Sequence, residues 1–468
     1  VGARYHWSVR ACRRGTVSDS VCSTWSATRY LDVGRDRSDY NGDGYGDLVV
    51  SAPSHERIDG GRGVHFVYAG SADGVGDEPV TEIRPDVVAE TYFPTLANLG
   101  DLNGDGYADF AALGSNRGAE GSGDGNAADP RVDIHYGSAM GLASSPSLTL
   151  VRDRPCSLRF GVVAVGDLNG DGFGDLAALP DSPTACAQDG RVGDAALIYY
   201  GTADGLEAGP RLRVEGPFSS FGTRASRVVR GVGDVDGDGY SDLLLGIGLY
   251  TTVRPGLVFR GSAAGLVDRP AYALARPQVL EAARMVFPGQ STPVGDIDGD
   301  GFADVVISAR QFNAADPPGA ILVYRGAPAG PPERPSALVP NLDEAPVFGT
   351  RLSAGDLNGD GFRDLAFDTG SQAVGAVRDL TVHFGGAGGL SPEALPVGEG
   401  TPNVISSPGD FDGNGVMDLA VSRGRATQAT VLLHYGTRDA FSPPRALPTP
   451  MDLEPNALFG LVIADSPL

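Results

Sequence analysis

The chain has 468 residues, of which 41% are hydrophobic, 68 are Gly and 34 are Pro, and its net charge is −23. The apolar fraction is too high for a disordered chain, and the Gly and Pro content is typical of an all-β protein with many tight turns. The negative charge argues against nucleic acid and anionic membranes as partners and favours a cation binder.

Residues 1–33 come first and have no repeat. Tyr5, Trp7, Val9 and Ala11 alternate as in a half-buried strand, and residues 29–33 read as a second strand. This segment resembles the last two strands of a fibronectin type III domain, which implies a partial β-sandwich. Because two strands do not fold alone, we expect further β-sandwich modules upstream. The opening residues lack a signal-peptide pattern, and we expect a secretion signal further upstream.

The four cysteines are Cys12, Cys22, Cys156 and Cys186. Three pairings are possible, and the local pairs Cys12–Cys22 and Cys156–Cys186 are favoured because each lies in turn-rich sequence. Zinc binding by these cysteines is the alternative. Two disulfides would indicate an oxidising compartment. All 36 basic residues are Arg, a bias typical of high-GC bacterial genomes, and no apolar run reaches the ~18 residues of a membrane span.

One nine-residue pattern, D-x-[DN]-G-[DN]-G-φ-x-D with an aromatic or apolar φ, occurs seven times at intervals of 54 to 67 residues. These intervals exceed those of WD40 and kelch blades. The copies start at Asp39, Asp101, Asp167, Asp234, Asp296, Asp356 and Asp410. A repeat this regular predicts one structural unit per copy.

Each copy has the same surroundings. An apolar segment, often opening with Phe-Gly as at Phe348, precedes the loop; a short apolar run follows it; and a third strand ends in an aromatic-Gly pair such as Tyr200-Gly201. A fourth, more polar strand leads into the next copy. Four strands per repeat predict a seven-bladed β-propeller over residues 34–468. Residues 459–465 repeat the Phe-Gly strand, so we expect them to complete the first blade and close the ring.

These residues resemble the FG-GAP repeat family, best known from the β-propeller heads of integrin α subunits. The resemblance covers residues 34–468 and is specific at the loops. It is weaker at the Gly-Ala-Pro element, since only the first copy reads Ser51-Ala52-Pro53. In that family the calcium loops lie on one face and ligands usually bind the other.

The loops themselves predict calcium. Calcium takes six to eight oxygen ligands, and the pattern offers side-chain oxygens at positions one, three, five and nine, a backbone carbonyl at position seven, and glycines that let the chain curl. The predicted ligand residues, in chain order, are Asp39, Asn41, Asp43, Tyr45, Asp47, Asp101, Asn103, Asp105, Tyr107, Asp109, Asp167, Asn169, Asp171, Phe173, Asp175, Asp234, Asp236, Asp238, Tyr240, Asp242, Asp296, Asp298, Asp300, Phe302, Asp304, Asp356, Asn358, Asp360, Phe362, Asp364, Asp410, Asp412, Asn414, Val416 and Asp418. We expect up to seven Ca²⁺, with the first and seventh loops least typical, and the ring at position seven to point into the blade.

Other interpretations of the loops fit less well. An EF-hand needs a bidentate Glu at position twelve, where all seven copies are apolar. Mg²⁺ prefers small octahedral sites that keep several waters. An ordinary hairpin turn explains Asn-Gly and Asp-Gly but not acids at four alternating positions, since like charges about 4 Å apart repel by ~1 kcal/mol even in water.

No catalytic constellation is recognisable in the sequence, so we expect a protein without enzymatic activity. His135, His383 and His434 each precede the aromatic residue of the third strand, which predicts packing. His6 lies in the N-terminal segment and His55 in a polar loop. The interpretation is an extracellular or cell-surface module for adhesion or interaction. Its partner would be a protein, a glycan or another copy of the chain, bound on the face opposite the calcium loops.

The longest loop predicted on that face spans residues 114–130. Two alternatives remain: the non-catalytic propeller of a larger secreted enzyme, and a propeller that binds or cleaves polysaccharide, such as a lyase. An enzyme would show a deep pocket on that face, whereas an adhesion module would show a flatter surface. The sequence does not reveal the ligand.

Overall fold

A computed structural model describes most of the chain. The described residues are 3–7, 9, 29–33, 37–56, 62–85, 95–114, 131–151, 161–179, 195–207, 209, 212–215, 226–248, 255–277, 280, 285–311, 318–341, 348–369, 380–398, 402–407, 409–424, 429–438, 441–451, 453, 459–460 and 462–463. All four cysteines lie outside them, so the predicted pairs Cys12–Cys22 and Cys156–Cys186 stay predictions. So does the role of residues 115–130.

The N-terminal segment forms one antiparallel pair of strands, β1 (Ala3–Trp7) and β2 (Arg29–Val33). Tyr5 lies opposite Leu31 in its register. The two strands match the two that the sequence predicts, although β1 ends at Trp7 and Val9 lies beyond it. The fibronectin-like assignment of residues 1–33 stays a prediction.

The other strands form seven antiparallel sheets. In chain order they are β3 (Leu48–Glu56), β4 (Arg62–Tyr68), β5 (Thr81–Ile83), β6 (Thr95–Gly100), β7 (Asp109–Gly114), β8 (Arg131–His135), β9 (Leu148–Val151), β10 (Gly161–Gly166), β11 (Asp175–Leu179), β12 (Ala195–Tyr199), β13 (Leu212–Glu215), β14 (Ser226–Gly233), β15 (Asp242–Gly248), β16 (Gly256–Phe259), β17 (Tyr272–Leu274), β18 (Met285–Val286), β19 (Ser291–Gly295), β20 (Asp304–Gln311), β21 (Ala320–Tyr324), β22 (Ala337–Pro340), β23 (Leu352–Gly355), β24 (Asp364–Asp368), β25 (Leu380–His383), β26 (Leu395–Pro396), β27 (Pro402–Ser406), β28 (Leu419–Arg423), β29 (Thr430–His434), β30 (Arg445–Ala446) and β31 (Val462–Ile463).

Each sheet is one blade of a seven-bladed β-propeller, as predicted. Blade one is β31-β3-β4-β5, blade two is β6 to β9, and the remaining blades follow in chain order. Blade five differs because β18 and β19 both pair with β20. The first strands of neighbouring blades contact one another around the whole circle, from β6 through β10, β14, β19, β23 and β27 to β31 and back to β6.

The apolar core lies between the blades. Seven buried clusters exist among the described residues, and each joins two neighbouring blades. For example, Leu433 of blade seven packs in one cluster with Leu48 and Phe66 of blade one. Second strands are buried along their length, as in β20 and β24. A blade therefore buries its apolar faces only when both neighbours are present.

The ring closes where β31 joins blade one. Val50 lies opposite Ile463 and Ser51 opposite Val462, and the Gly460 N–H donates to the Ser51 carbonyl at 3.0 Å. Ile463 is 3% exposed. Closure by the C-terminal strand is therefore confirmed, and it covers a sheet edge that would otherwise stay open.

Side chains reinforce this junction between blades seven and one. The Val75 N–H donates to the Tyr435 hydroxyl at 3.1 Å. Arg445 in β30 donates to the Val75 carbonyl at 2.5 Å and also pairs with the Asp77 carboxylate. These contacts lie at the outer end of the junction, away from the strand pairing of β31.

Substitution of the closing strand tests this arrangement. Ile463→Asp places a carboxylate at a buried position of β31, and we expect the free energy of unfolding to fall by about 2–4 kcal/mol. Val80→Asp is the matched control, because Val80 is 65% exposed. Denaturant unfolding of both variants measures the difference, and equal losses would contradict a closing role for β31.

Candidate functional site

The seven Asp-rich loops lie at equivalent places in the propeller. Each loop leads into the second strand of its blade, and in blades two to six it directly follows the first strand. Because every blade runs in the same direction, all seven loops lie on one face.

The leading Asp of each loop organises its backbone. Asp39 Oδ2 accepts the Gly44 N–H at 2.8 Å, and Oδ1 accepts the Asp43 N–H at 3.1 Å. The same two bonds recur in the other six loops at 2.6–3.2 Å. Gly42 and Gly44 have φ of 73° and 96°, a region that residues with a Cβ rarely adopt. The loop geometry thus explains glycine at positions four and six.

The Asp at position nine ties the loop to the third strand. Asp47 Oδ2 accepts the Tyr40 N–H and Oδ1 accepts the Gly70 N–H, both at 3.0 Å. All seven loops repeat this pair of bonds at 2.7–3.1 Å. The carboxylates are at most 2% exposed. This residue therefore has a structural role whether or not it also binds a cation.

The close approach of the third strand to the loop also explains the glycine at the end of each third strand. A Cβ at Gly385 would lie 2.3 Å from the Arg363 carbonyl oxygen, at position eight of the loop. The equivalent distance is 2.2–2.4 Å at Gly70, Gly137, Gly201, Gly261, Gly326 and Gly436. The aromatic-Gly pair seen in the sequence thus marks where the third strand touches the loop.

Neighbouring loops are bonded to each other. The Ala108 N–H of the second loop donates to the carbonyl of Asp39, the leading residue of the first, at 2.9 Å. The ring of Tyr107 lies against Gly42, where an added Cβ would be 2.7 Å from it. Both contacts recur at other blade junctions, including Tyr45 against Gly413 at ring closure. The ring at position seven thus lies on the preceding loop, and the expectation that it packs within its own blade is corrected, because that glycine leaves room for it.

Burial raises the pKa of the position-nine carboxyl groups, and the two N–H donors offset only part of this effect. The pKa rises to about 8 for Asp47, Asp175 and Asp418. It rises to about 7 for Asp242 and Asp364 and to about 6 for Asp304. Neighbouring loop carboxylates act in the same direction as burial. The loops without a cation therefore hold protons more tightly than an unfolded chain.

The donor set fits a hard divalent cation. Three loops each bring three carboxylates together with ligand atoms within 4.8 Å of one another: Asp234, Asp236 and Asp242; Asp296, Asp298 and Asp300; and Asp410, Asp412 and Asp418. The other four loops have Asn at position three. Asp298 is 8% exposed, and its Oδ1 accepts no hydrogen bond from the described residues. Oxygen-only donors suit Ca²⁺ or Mg²⁺, and the position-seven carbonyl stays a predicted ligand.

An EF-hand arrangement does not fit. The residues at position twelve are all buried within second strands: Val50, Ala112, Ala178, Leu245, Ile307, Phe367 and Val421. None of them can provide the bidentate carboxylate of an EF-hand.

The histidines of the third strands pack in the core. His135, His383 and His434 are 1–6% exposed, as predicted. The sequence interpretation missed His65, which is fully buried in β4 with Nδ1 3.1 Å from Ser51 Oγ. Burial lowers its pKa to about 3, so it is neutral. His65 does not lie two residues before the glycine that ends the third strand, as the other three histidines do. Its place between Val64 and Phe66 was the one sequence signal that it lies in a strand.

We expect Gly385→Ala to destabilise the chain by about 2 kcal/mol or more, because the new Cβ meets the backbone of the loop. Gly386→Ala is the control at the next residue, where an added Cβ meets nothing within 4 Å. Denaturant unfolding compares the two. A loss for Gly386→Ala as large as that for Gly385→Ala would rule out the loop contact as the cause.

The raised pKa values predict that stability without metal falls as pH rises. The unfolded carboxyl groups lose their protons near pH 4 and the folded ones only at about pH 6–8, so the folded state binds more protons between these limits. The stabilisation is complete below about pH 4 and is lost by about pH 8. Melting temperatures in metal-free buffer from pH 5 to 8 measure the slope, and a rise with pH would contradict the assignment.

No helix among the described residues has the length and apolarity needed to cross a bilayer. The FG-GAP repeat family matches residues 38–68, 288–324 and 348–377, which cover the loops of blades one, five and six.

Three curated relatives illustrate the likeness. Integrin alpha-5 of Xenopus laevis is 26% identical over 371 residues, which is 72% of this chain and 33% of that protein. Integrin alpha-PS2 of Drosophila melanogaster is 36% identical over 154 residues, 30% of this chain and 10% of that protein. Phosphatidylinositol-glycan-specific phospholipase D of Mus musculus is 34% identical over 169 residues, 33% of this chain and 19% of that protein. The chain thus spans a third or less of these relatives.

Among solved structures, the exotype rhamnogalacturonan lyase YesX matches with a TM-score of 0.43 and 12% identity, over 92% of this chain and 84% of that chain. The rhamnogalacturonan lyase PL11 of Bacillus licheniformis matches with a TM-score of 0.39 and 12% identity, over 90% of this chain and 87% of that chain. The chain is thus a seven-bladed β-propeller that carries FG-GAP repeats in blades one, five and six and is similar to integrin α chains.

Proposed function

We propose that this chain is an extracellular interaction module whose propeller is stabilised by calcium in the seven loops. The observation that carries the proposal is the arrangement of the loops. Every loop has the same curled backbone, three of the loops gather three carboxylates each, and six of the seven junctions have a backbone bond between neighbouring loops. A cation held in one loop would therefore stabilise a junction between two blades as well as the loop itself.

Calcium fits these loops better than magnesium. The donors are carboxylate, amide and carbonyl oxygens spread over nine residues, and calcium accepts irregular shells of six to eight oxygens. Magnesium requires near-octahedral geometry and keeps several waters. When bound, calcium would supply positive charge to groups that repel one another. The chain's own residues hold the loop shape through the leading and ninth Asp.

The face opposite the loops is the proposed interaction surface. The second strands end and the third strands begin on that face. Binding residues concentrate on loops held by a rigid scaffold. The likeness to integrin α chains supports an extracellular or cell-surface location and a protein or glycan partner, or assembly with another copy. The high negative charge of the chain makes nucleic acid an unsuitable partner.

A second candidate is a non-catalytic propeller within a larger secreted enzyme. The match to the mouse phosphatidylinositol-glycan-specific phospholipase D favours it, because that enzyme contains a segment similar to part of this chain. In that case the same calcium loops would stabilise a propeller that serves an attached catalytic domain.

Calcium titration of the metal-free chain tests the structural role of the cation. We expect the melting temperature to rise with calcium, because a site filled at ten times its Kd adds about 1.4 kcal/mol to the free energy of unfolding. Magnesium at the same concentration should raise it less. Up to seven ions per chain should be measured by elemental analysis of the same sample. No bound calcium and no shift would overturn the proposal.

Single-loop variants sharpen this test. Asp171→Ala should remove one calcium per chain and reduce the calcium-dependent rise. Asp204→Ala, an exposed acid of the same blade outside the loop, should leave both unchanged.

The interaction role has its own test. Sedimentation of the calcium-loaded chain, and its binding to protein and glycan arrays, should reveal self-association or a ligand. A chain that remains a free monomer in every assay would favour the second candidate.

A further inference from the structure

Two of the seven loops carry more negative charge than the others. The loops of blades four and five have Asp at positions one, three, five and nine, giving four carboxylates each. Each of the other loops has three, because either position three or position five is Asn. The fourth carboxylate needs a compensating interaction, since all four lie within one nine-residue turn.

In the loops with Asn at position three, the amide orients the carboxylate at position five. Asn41 Nδ2 donates to Asp43 Oδ2 at 2.9 Å. Asn103, Asn169 and Asn358 make the same bond at 2.8–3.0 Å. An Asp at position three cannot donate, so this bond is lost in blades four and five.

In blade four an arginine replaces that donor. Arg260 directly follows β16, and its Nη2 donates to Asp238 Oδ2 at 2.5 Å, the same oxygen that accepts the amide in the Asn loops. Its Nε lies 2.5 Å from Asp236 Oδ2, which also accepts the Tyr272 hydroxyl at 2.8 Å. The guanidinium therefore contacts both central carboxylates of the loop.

In blade five an arginine occupies the equivalent position. Arg325 directly follows β21, and its Nη1 lies 3.0 Å from Asp298 Oδ2. Its Nη2 donates to the Gly388 carbonyl of blade six at 2.5 Å. Asp298 is nearly buried, and its second oxygen has no hydrogen bond from the described residues. That oxygen remains available to a cation inside the loop.

Arginine occurs at this position only where the loop has four carboxylates. The residue before the third-strand glycine is Arg in blades four and five, whereas the other blades have Ala69, Tyr136, Tyr200, Phe384 and Tyr435. Blade seven supports the pattern: it has Asp412 at position three but Asn414 at position five, and Tyr435 in place of arginine. With Arg260 and Arg325 included, the loops of blades four and five carry three net negative units, as do the other loops except that of blade six, which also holds Arg363.

We propose that Arg260 and Arg325 are resident counter-charges of the loops in blades four and five. Arg260 takes the place of the asparagine amide, and both guanidinium groups offset the extra carboxylate, so these loops keep their folded geometry with less dependence on an added cation. The proposal deepens the calcium role and rests on it only for the effect on calcium affinity; the effect in metal-free buffer does not depend on it.

Variants of blade four test the proposal. In metal-free buffer, Arg260→Met should lower the melting temperature by roughly 2 °C through unscreened repulsion. The double variant Asp236→Asn with Arg260→Met should regain it, because the new amide can donate to Asp238. Arg84→Met is the control for loss of an arginine, since Arg84 forms an exposed pair with Glu82. Asp298→Asn with Arg325→Met repeats the test in blade five.

Calcium titration gives an independent readout. Arg260→Met should tighten one class of sites by about tenfold, the effect of one unit charge about 6 Å from a divalent ion in a water-like medium. The double variant should return the affinity to the starting value. Weaker calcium binding in Arg260→Met, or equal losses of metal-free stability in the single and double variants, would overturn the proposal. A wild-type chain that binds no calcium would refute the calcium role but leave the metal-free comparison valid.

Discussion

The buried carboxylate at position nine is the interaction on which the propeller depends. It accepts one N–H from the start of its own loop and another from the glycine that ends the third strand. One side chain thus joins the start of its own loop, seven residues earlier, to the end of the third strand, 18 to 28 residues later. Desolvation makes the ionised form unfavourable, and two charge-assisted hydrogen bonds only partly compensate. A positive charge in the surrounding loop would therefore stabilise the ionised form of this carboxylate.

The loops also carry the contacts between blades. A blade of four short strands cannot bury both faces alone, and its apolar side chains lie in clusters shared with its neighbours. The backbone bond from position eight of one loop to the leading Asp of the previous one continues this sharing on the loop face. Loop geometry and blade packing are thus coupled. A disturbance at one loop reaches the next blade through a direct bond.

Much of the architecture could be predicted because it repeats. Seven copies of one pattern fix the number of blades, the position of each loop and the strands on either side, and the extra Phe-Gly segment at residue 459 predicts the closing strand. The positions of the loop acids were also predictable from the repeat, and their role as calcium ligands stays a prediction. The contacts between blades were not, because they join residues of different repeats. The ring of Tyr107 on Gly42 is one such contact. The pairing of Arg260 with Asp238 lies within one blade, but most copies lack the arginine, so the repeat does not predict it. His65 was missed because it does not share the repeat position of the other buried histidines.

The placement of all seven loops on one face divides the electric charge of the molecule unevenly. The loops hold 23 aspartates; the 59 acidic residues less these 23 leave 36, which equals the number of basic residues. The whole net charge therefore corresponds to the loop acids, and the rest of the chain is balanced. Without bound cations the loop face therefore concentrates negative charge. Near an anionic surface this charge repels the loop face, while divalent cations at the loops weaken the repulsion.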